Sequence, residues 1–261
     1  MPVHADYKHA LITGATSGIG ECFAELLPAT TNLILTGRDE TKLADLKERL
    51  TNGQREVETI AADLADAEAR KSLLEKTVAA PLDLLINNAG LGAYGAFTEI
   101  PPERESEMVE VNVTAVIELS RALLPQMIER ARADLRRAGM IVVSSTASVT
   151  PVPFLATYAA TKAFERHWGE ALAEELRSDP IDILVLCPGA TRTEFFNRAE
   201  MDGSMLNNME EPEAVARKAL AALGRHTVFV SNGSTRLALA PAILPRRLLT
   251  KGIGHFLRGR R

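Results

Sequence analysis

Apolar positions in this chain gather in short unbroken runs, and each run is followed by a stretch in which they recur every three or four residues. His9-Ala10-Leu11-Ile12-Thr13 is the first run and stops at Gly14. From 18 to 29, Ile19, Phe23, Leu26 and Leu27 follow at helical spacing. A second strand is predicted over 32–36, closed by Gly37, and a second helix from Asp39 as N-cap to Leu50, with Leu43, Leu46 and Leu50 on its apolar face. The pattern continues with a strand over 57–61, a helix over 66–78 and a strand over 82–86. After a glycine-rich turn at 90–95, residues 103–132 read as one long helix and 140–144 as a fifth strand. A helix over 159–175, entered through Tyr158, ends before Pro180, and a sixth strand over 181–186 is stopped by Pro188-Gly189. A looser segment, 190–211, precedes a helix beginning near Pro212 and a last strand at 228–230.

Strands alternating with helices, without hairpin signals, imply a parallel sheet covered on both faces, its helices serving as right-handed crossovers. The expected fold class is α/β: a single-domain, doubly wound parallel sheet of about seven strands, Rossmann-like, with helices on both faces. No linker, internal repeat or low-complexity tract divides residues 1–261.

Composition changes this picture little. The 261 residues are 46% hydrophobic and 25% charged, enough to build one sizeable core. No apolar run approaches the ~18 residues of a membrane span, and the first residues lack the basic-then-apolar order of a secretory signal. Cys22 and Cys187 are far apart, form no CxxC and sit among apolar residues, as reduced core cysteines of a cytoplasmic protein do; they suggest neither a disulfide nor a metal site. Charge is more informative. Net charge is −4, yet no acid follows Glu213, while residues 214–261 hold ten Lys or Arg.

The first candidate site is Thr13-Gly14-Ala15-Thr16-Ser17-Gly18-Ile19-Gly20, at the junction of the first strand and the first helix. A helix start offers unpaired N–H groups and the positive dipole end, which suit a pyrophosphate. Glycine lets the backbone turn tightly and come close to phosphate. The spacing is G-x-x-x-G-x-G rather than G-x-G-x-x-G.

The second is Tyr158 with Lys162, four apart and so on one helix face. A free tyrosine titrates near ~10, and moving it to about 7 requires roughly 4 kcal/mol of preference for the phenolate, much of which a fixed cation can supply. On its own such a pair is more often a core tyrosine beside a solvated lysine.

Together, the glycine spacing, Asn87-Asn88-Ala89-Gly90 after the fourth strand, Tyr158-x-x-x-Lys162 and Pro188-Gly189 resemble the compact branch of the short-chain dehydrogenase/reductase family, in the family's order and over about residues 8–195. Residues 90–97 and 188–195 look like its bacterial DltE-type subgroup. The resemblance implies a catalytic set. Tyr158 would be the general acid in ketone reduction and the base in reverse, and Lys162 would lower its pKa and hold the nicotinamide ribose. Ser145 would orient the substrate oxygen, with the adjacent Ser144 as the alternative, and Asn112 would hold a water linking Lys162 to solvent. It also implies cofactor contacts: Gly14, Thr16, Ser17, Gly18, Ile19 and Gly20 at the phosphates, Asp63 and Leu64 at the adenine, Asn88 near the nicotinamide ribose, and Thr191 and Thr193 at the carboxamide.

Cofactor choice is read at the end of the second strand. Where NAD users place an acid for the ribose hydroxyls, this chain has Gly37 followed by Arg38. A guanidinium suits a 2′-phosphate, so NADP(H) is expected over NAD(H), unless Arg38 is taken by Asp39 or Glu40.

Segment 190–211, with Phe195, Phe196, Met201, Met205, Leu206 and Met209, would close over the cleft. With Tyr94, Phe97, Val149 and Phe154 from other loops it forms either an apolar pocket for a ketone or secondary alcohol or simply the packing of a lid. The basic tail, 244–261, places Leu249, Ile253, Phe256 and Leu257 opposite Arg247, Lys251, His255 and Arg258. Packing on the acidic body is favoured over weak contact with an anionic membrane surface. No nucleic-acid motif accompanies the basic residues. The resemblance implies a homodimer or homotetramer through the 103–132 and 158–178 helices. The rival reading is a non-catalytic NADP(H)-binding regulatory or scaffold protein of the same fold, against which a complete Ser145, Tyr158 and Lys162 argue.

Overall fold

The computed structural model describes residues 7–202 and 209–232. In chain order these form β1 (His9–Thr13), α1 (Gly18–Leu26), β2 (Asn32–Gly37), α2 (Glu40–Leu50), β3 (Val57–Ala61), α3 (Ala67–Thr77), β4 (Leu84–Asn87) and α4 (Pro102–Val109). A π-helical segment (Glu110–Thr114) joins α4 to α5 (Ala115–Ala133), followed by β5 (Ala138–Val143), a 3₁₀ turn (Thr146–Ser148), α6 (Ala156–Glu175), β6 (Ile181–Cys187), α7 (Phe195–Arg198), α8 (Pro212–Ala222) and β7 (Val228–Val230). The seven strands are parallel and ordered β3-β2-β1-β4-β5-β6-β7. This is the expected doubly wound sheet, with the strand order reversing between β1 and β4.

Period-two alternation sorts each strand's side chains between two helical layers. Ala10 and Ile12 of β1 join Leu33, Leu35, Leu84, Ile86, Ile141 and Val143 under α1, α2 and α8, where Phe23, Leu43 and Val215 fill the core. Leu11, between them, faces the other way and packs with Leu85, Met140 and Val142 against Val116, Leu123 and Met127 of α5. Every residue of β4 and β5 is buried, which explains why their sequences run apolar without alternation.

Most boundaries shift by a few residues: β5 begins at Ala138 rather than 140, and α6 at Ala156, so Tyr158 lies inside the helix rather than before it. Helix α1 stops at Leu26 rather than 29 because Leu27 precedes Pro28 and is forced extended; the Arg55 guanidinium then donates to the freed carbonyls of Ala24, Leu27 and Pro28. Strand β4 begins at Leu84 rather than 82 because the Asp83 carboxylate accepts the backbone N–H of Lys8 and His9. The helix predicted over 103–132 is three pieces, α4, the π segment and α5. In the segment 190–211, residues Ala190 and Arg192 pair with Glu210, zipping the two ends together, and α7 lies between them. Met205, Leu206 and the basic tail 244–261 lie outside the described residues. No helix among the described residues is long and apolar enough to cross a membrane.

Candidate active site

The C-terminal ends of β1, β2, β4, β5 and β6 open on a cleft of about 350 Å³ at the topological switch point, where open α/β sheets bind ligands. Helices α2 and α3 are capped by Asp39 and Asp66, whose carboxylates accept the N–H of Lys42 and Ala69. Helix α1, which points into the cleft, has no side-chain cap: Ser17 is extended, and its hydroxyl accepts instead from Arg198 at 3.3 Å. The free N–H groups and positive dipole end therefore face the cleft. Gly14 and Gly18 have φ of +64° and +60°, and a Cβ on Gly20 would lie 2.3 Å from the Gly14 carbonyl oxygen. Thr16, Ser17, Gly18 and Ile19 line the cleft with Gly14, while Gly20 packs underneath. This cradle fits a pyrophosphate.

At the β2 side of the cleft, Arg38 pairs with neither Asp39 nor Glu40. Its guanidinium lies 3.8 Å from Asp63, with both side chains about half exposed, and both line the cleft beside Leu64. Gly37 is bare for a reason: a Cβ there would meet Thr16 Cγ2 at 2.8 Å, so any side chain at 37 would have to push the Thr16 side chain of the glycine turn aside.

At the other end, Tyr158 and Lys162 of α6 are buried, with Lys162 Nζ 5.9 Å from the centre of the Tyr158 ring. Ser144 and Ser145 part company here. Ser144 is buried, its hydroxyl donating to the Lys162 carbonyl at 2.8 Å and tying β5 to α6. Ser145 caps the 3₁₀ turn by accepting from Ala147 N, and it stands near enough to the Tyr158 phenol to favour the phenolate. Burial pushes Tyr158 above the usual phenol range; Lys162 and Ser145 pull it down, and Glu165 pushes it up. The cation expected to activate Tyr158 acts in the expected direction, but here desolvation outweighs it.

Asn112 occupies the π segment rather than a regular α-helix, and it is fully buried. The extra residue of a π turn re-aims a side chain locally. Its Oδ1 accepts from Leu91 N, and its Nδ2 donates to the Leu91 carbonyl and Thr161 Oγ1, each at 2.9 Å. It therefore fixes the Gly90-Leu91-Gly92 loop against α6, where a Cβ on Gly90 would come within 3.1 Å of Lys162 Nζ.

The remaining expected residues fall around the same cleft. Asn88 lines it, but its amide donates to the Thr13 and Gly14 carbonyls, bracing the glycine turn. Thr191 donates to the Gly189 carbonyl, and Thr193 packs its methyl over Gly18. Phe195, Phe196 and Met201 line the cleft. Tyr94, Phe97, Val149 and Phe154 do not: Tyr94 packs on Phe154, and Phe97 is 65% exposed. Tyr94 packs instead with the cluster of Leu155, Ala199 and Met201, its N–H donating to the Ala199 carbonyl, so it holds the lid segment down rather than lining the cleft.

Three residues absent from the sequence reading belong to this site. Thr161 receives the Asn112 amide, Arg198 spans from α7 to Ser17, and Glu165 lies 2.8 Å from Lys162 Nζ. Helical spacing places Glu165 near Lys162, but nothing in the sequence indicates that the pair is buried. Among the described residues no group of three or more His, Cys, Asp or Glu could hold a metal ion.

A family model for the short chain dehydrogenases matches residues 8–203. The dehydrogenase/reductase SDR family member 7B of Xenopus laevis is 32% identical over 231 residues, covering 82% of this chain and 70% of that protein. The very-long-chain 3-oxoacyl-CoA reductase of Kluyveromyces lactis is 32% identical over 225 residues, covering 83% of this chain and 63% of that protein. Among solved structures, a short-chain dehydrogenase from Sphingobium yanoikuyae in complex with NADPH superposes with a TM-score of 0.79 at 28% identity, covering 97% of this chain and 96% of that one. The parallel sheet with its β1–β4 switch point, the glycine cradle and these matches converge: the chain belongs to the short-chain dehydrogenase family.

Proposed function

We propose that this protein is an NADP(H)-dependent oxidoreductase acting on an apolar ketone or secondary alcohol. The observation that carries the reading is the buried Tyr158, sharing the cleft with Ser145 and with Lys162 Nζ 5.9 Å from its ring centre, at the end of a cleft headed by an uncapped helix. When bound, a nicotinamide supplies or accepts the hydride. The chain's own residues supply position and the proton. The α1 N-terminus holds the pyrophosphate, Asp63 and Leu64 border the adenine, and Lys162 reaches the ribose. Ser145 orients the substrate oxygen, and Tyr158 donates its proton to that oxygen in reduction and removes it in oxidation. Asn112 acts by holding Leu91 and Thr161 in place.

Preference for the 2′-phosphate is supported by Arg38, half exposed at the cleft edge and only loosely paired with Asp63, and by a bare Gly37. An apolar substrate is supported by Leu155, Phe195, Phe196 and Met201 lining the cleft beyond Tyr158, and by the name of the Kluyveromyces relative, a 3-oxoacyl reductase. A homo-oligomer and a cytoplasmic setting accompany this proposal. The first is supported by Val109 and Ile117 exposed on α4 and α5, the second by two free cysteines.

The test is nicotinamide absorbance with NADPH and NADH against ketones and alcohols of graded chain length. Turnover that is faster with NADPH and rises with apolar length is expected. Tight NADPH binding without turnover of any member would favour the non-catalytic binder, and equal kcat/KM with NADH would overturn the cofactor preference.

A further inference from the structure

Lys162 has a partner that the proton-transfer scheme does not use. Its ammonium donates to Glu165 Oε1 at 2.8 Å and to the Val143 carbonyl at 3.0 Å. Both side chains are almost completely buried, 4% and 1% exposed. Two of the three ammonium protons are thus held behind the cleft, leaving one for the cleft side. The other carboxyl oxygen of Glu165, Oε2, is buried and has no hydrogen-bond partner.

We propose that Glu165 is a positioning residue for the Tyr158–Lys162 pair, a buried carboxyl whose protonation sets how much of the Lys162 charge reaches Tyr158. The proposal rests on the assignment of Tyr158 as the proton-transfer group. Ionised, Glu165 anchors the ammonium and cancels part of its field, so the phenol keeps its proton to higher pH and serves as an acid for reduction. Neutral, it leaves that field uncompensated, and the phenolate needed for oxidation forms more readily.

The surroundings are suited to such a change of state. Burial pushes the Glu165 carboxyl up to about 7, and Lys162 pulls against it. The other groups near the pair are few. On α6, Tyr158 feels both charges, and Arg166 is paired with Glu170 at 2.7 Å. From β6 comes the Cys187 thiol, pushed up chiefly by burial and in part by Glu165, and from the 3₁₀ turn the Ser148 hydroxyl beside it. The β5 contribution is the Val143 carbonyl. The π segment presents Asn112, while its Glu110 is taken by Arg70, and α4 carries Glu105 with one buried unpaired oxygen. The charge acting on the Glu165 carboxyl is that of Lys162.

Glu165→Gln keeps the shape and an acceptor for Lys162 while fixing the side chain neutral. The limb of the pH–rate profile that reports Tyr158 should then move to lower pH by roughly one unit in both directions of reaction. Oxidation at neutral pH rises relative to reduction at alkaline pH. A limb unmoved within about 0.2 unit, or an equal loss in both directions at every pH, overturns the proposal and leaves Glu165 a structural residue. A second readout needs neither turnover nor a variant: infrared difference spectra of the wild-type protein with isotopically labelled glutamate. A protonated carboxyl lost between pH 6 and 8 is expected. If no glutamate titrates above pH 6, the proposal fails even where the variant does not fold. If the wild type turns over no ketone or alcohol, the proposed activity fails, and the infrared titration still decides the state of Glu165.

Discussion

The Phe195 ring lies against Tyr158, ring centres 5.1 Å apart and planes tilted by 45°. Phe195 belongs to α7, so the segment predicted to cover the cleft does so by seating an aromatic ring on the residue proposed to move the proton. A Cβ on Gly92 would lie 2.5 Å from this ring and 3.4 Å from Tyr158, so the bare glycine is what lets the ring in.

Two substitutions test this cover. Phe195→Ala removes apolar area over Tyr158 and should raise KM for an apolar substrate roughly tenfold, about 1.4 kcal/mol, while the Kd for NADPH changes little. Gly92→Ala should displace the ring and produce the same KM effect with a folded protein, since a side-chain tip is what must move. Unchanged KM in both variants would show that Phe195 covers Tyr158 without contacting substrate.

Tyr158→Phe keeps the ring contact with Phe195 and deletes only the hydroxyl. Removing a general acid costs about 10²–10⁴-fold in rate. Steady-state kcat/KM should fall within or beyond that range while fluorescence titration still detects NADPH binding. Activity retained within tenfold would remove Tyr158 from the mechanism.

Arg38 is about half exposed and loosely paired with Asp63. Its contribution to a bound phosphate is therefore moderate, because solvent screens it. Arg38→Ala should raise KM for NADPH roughly tenfold and leave KM for NADH unchanged. A parallel rise in both would mean that Arg38 supports the adenine pocket as a whole rather than reading a phosphate.

Glu165 also makes stability depend on pH. Its carboxyl is pushed up to about 7 in the folded protein, against an ordinary value of 4.5. Between those values the unfolded chain loses this proton while the folded protein keeps it, so stability falls as pH rises through the window and levels off above it. Each unit of difference corresponds to about 1.4 kcal/mol, so the effect is at most a few kcal/mol. The drop in Tm from pH 5 to pH 8 should be smaller in Glu165→Gln than in the wild type. Equal drops in the two proteins would assign the pH dependence elsewhere.

Much of this architecture is legible in the chain because a parallel sheet buried on both faces leaves a local record. Strands such as 138–143 can be apolar throughout only if both faces are covered, and helices such as α2 carry their caps and apolar stripe within a few residues. The glycine turn is equally local: its backbone angles and close approaches exclude a Cβ wherever they occur. The sequence by itself therefore determined the fold class, the family and the neighbourhood of the site. What only the tertiary structure decided are relations between side chains from different elements. The two serines at the end of β5 are adjacent and chemically alike, and they separate because α6 offers the Lys162 carbonyl to Ser144 while Ser145 caps the 3₁₀ turn and lines the cleft with Tyr158. The π turn at Asn112 turns an amide to Leu91 and Thr161, neither of which is near it in sequence. Lys162 and Glu165 are three residues apart, yet on a solvent-facing helix the same pair would be screened and of little consequence. Packing of α6 against β5 and β6 removes the water, and with it the screening, so one carboxyl can govern the charge beside Tyr158.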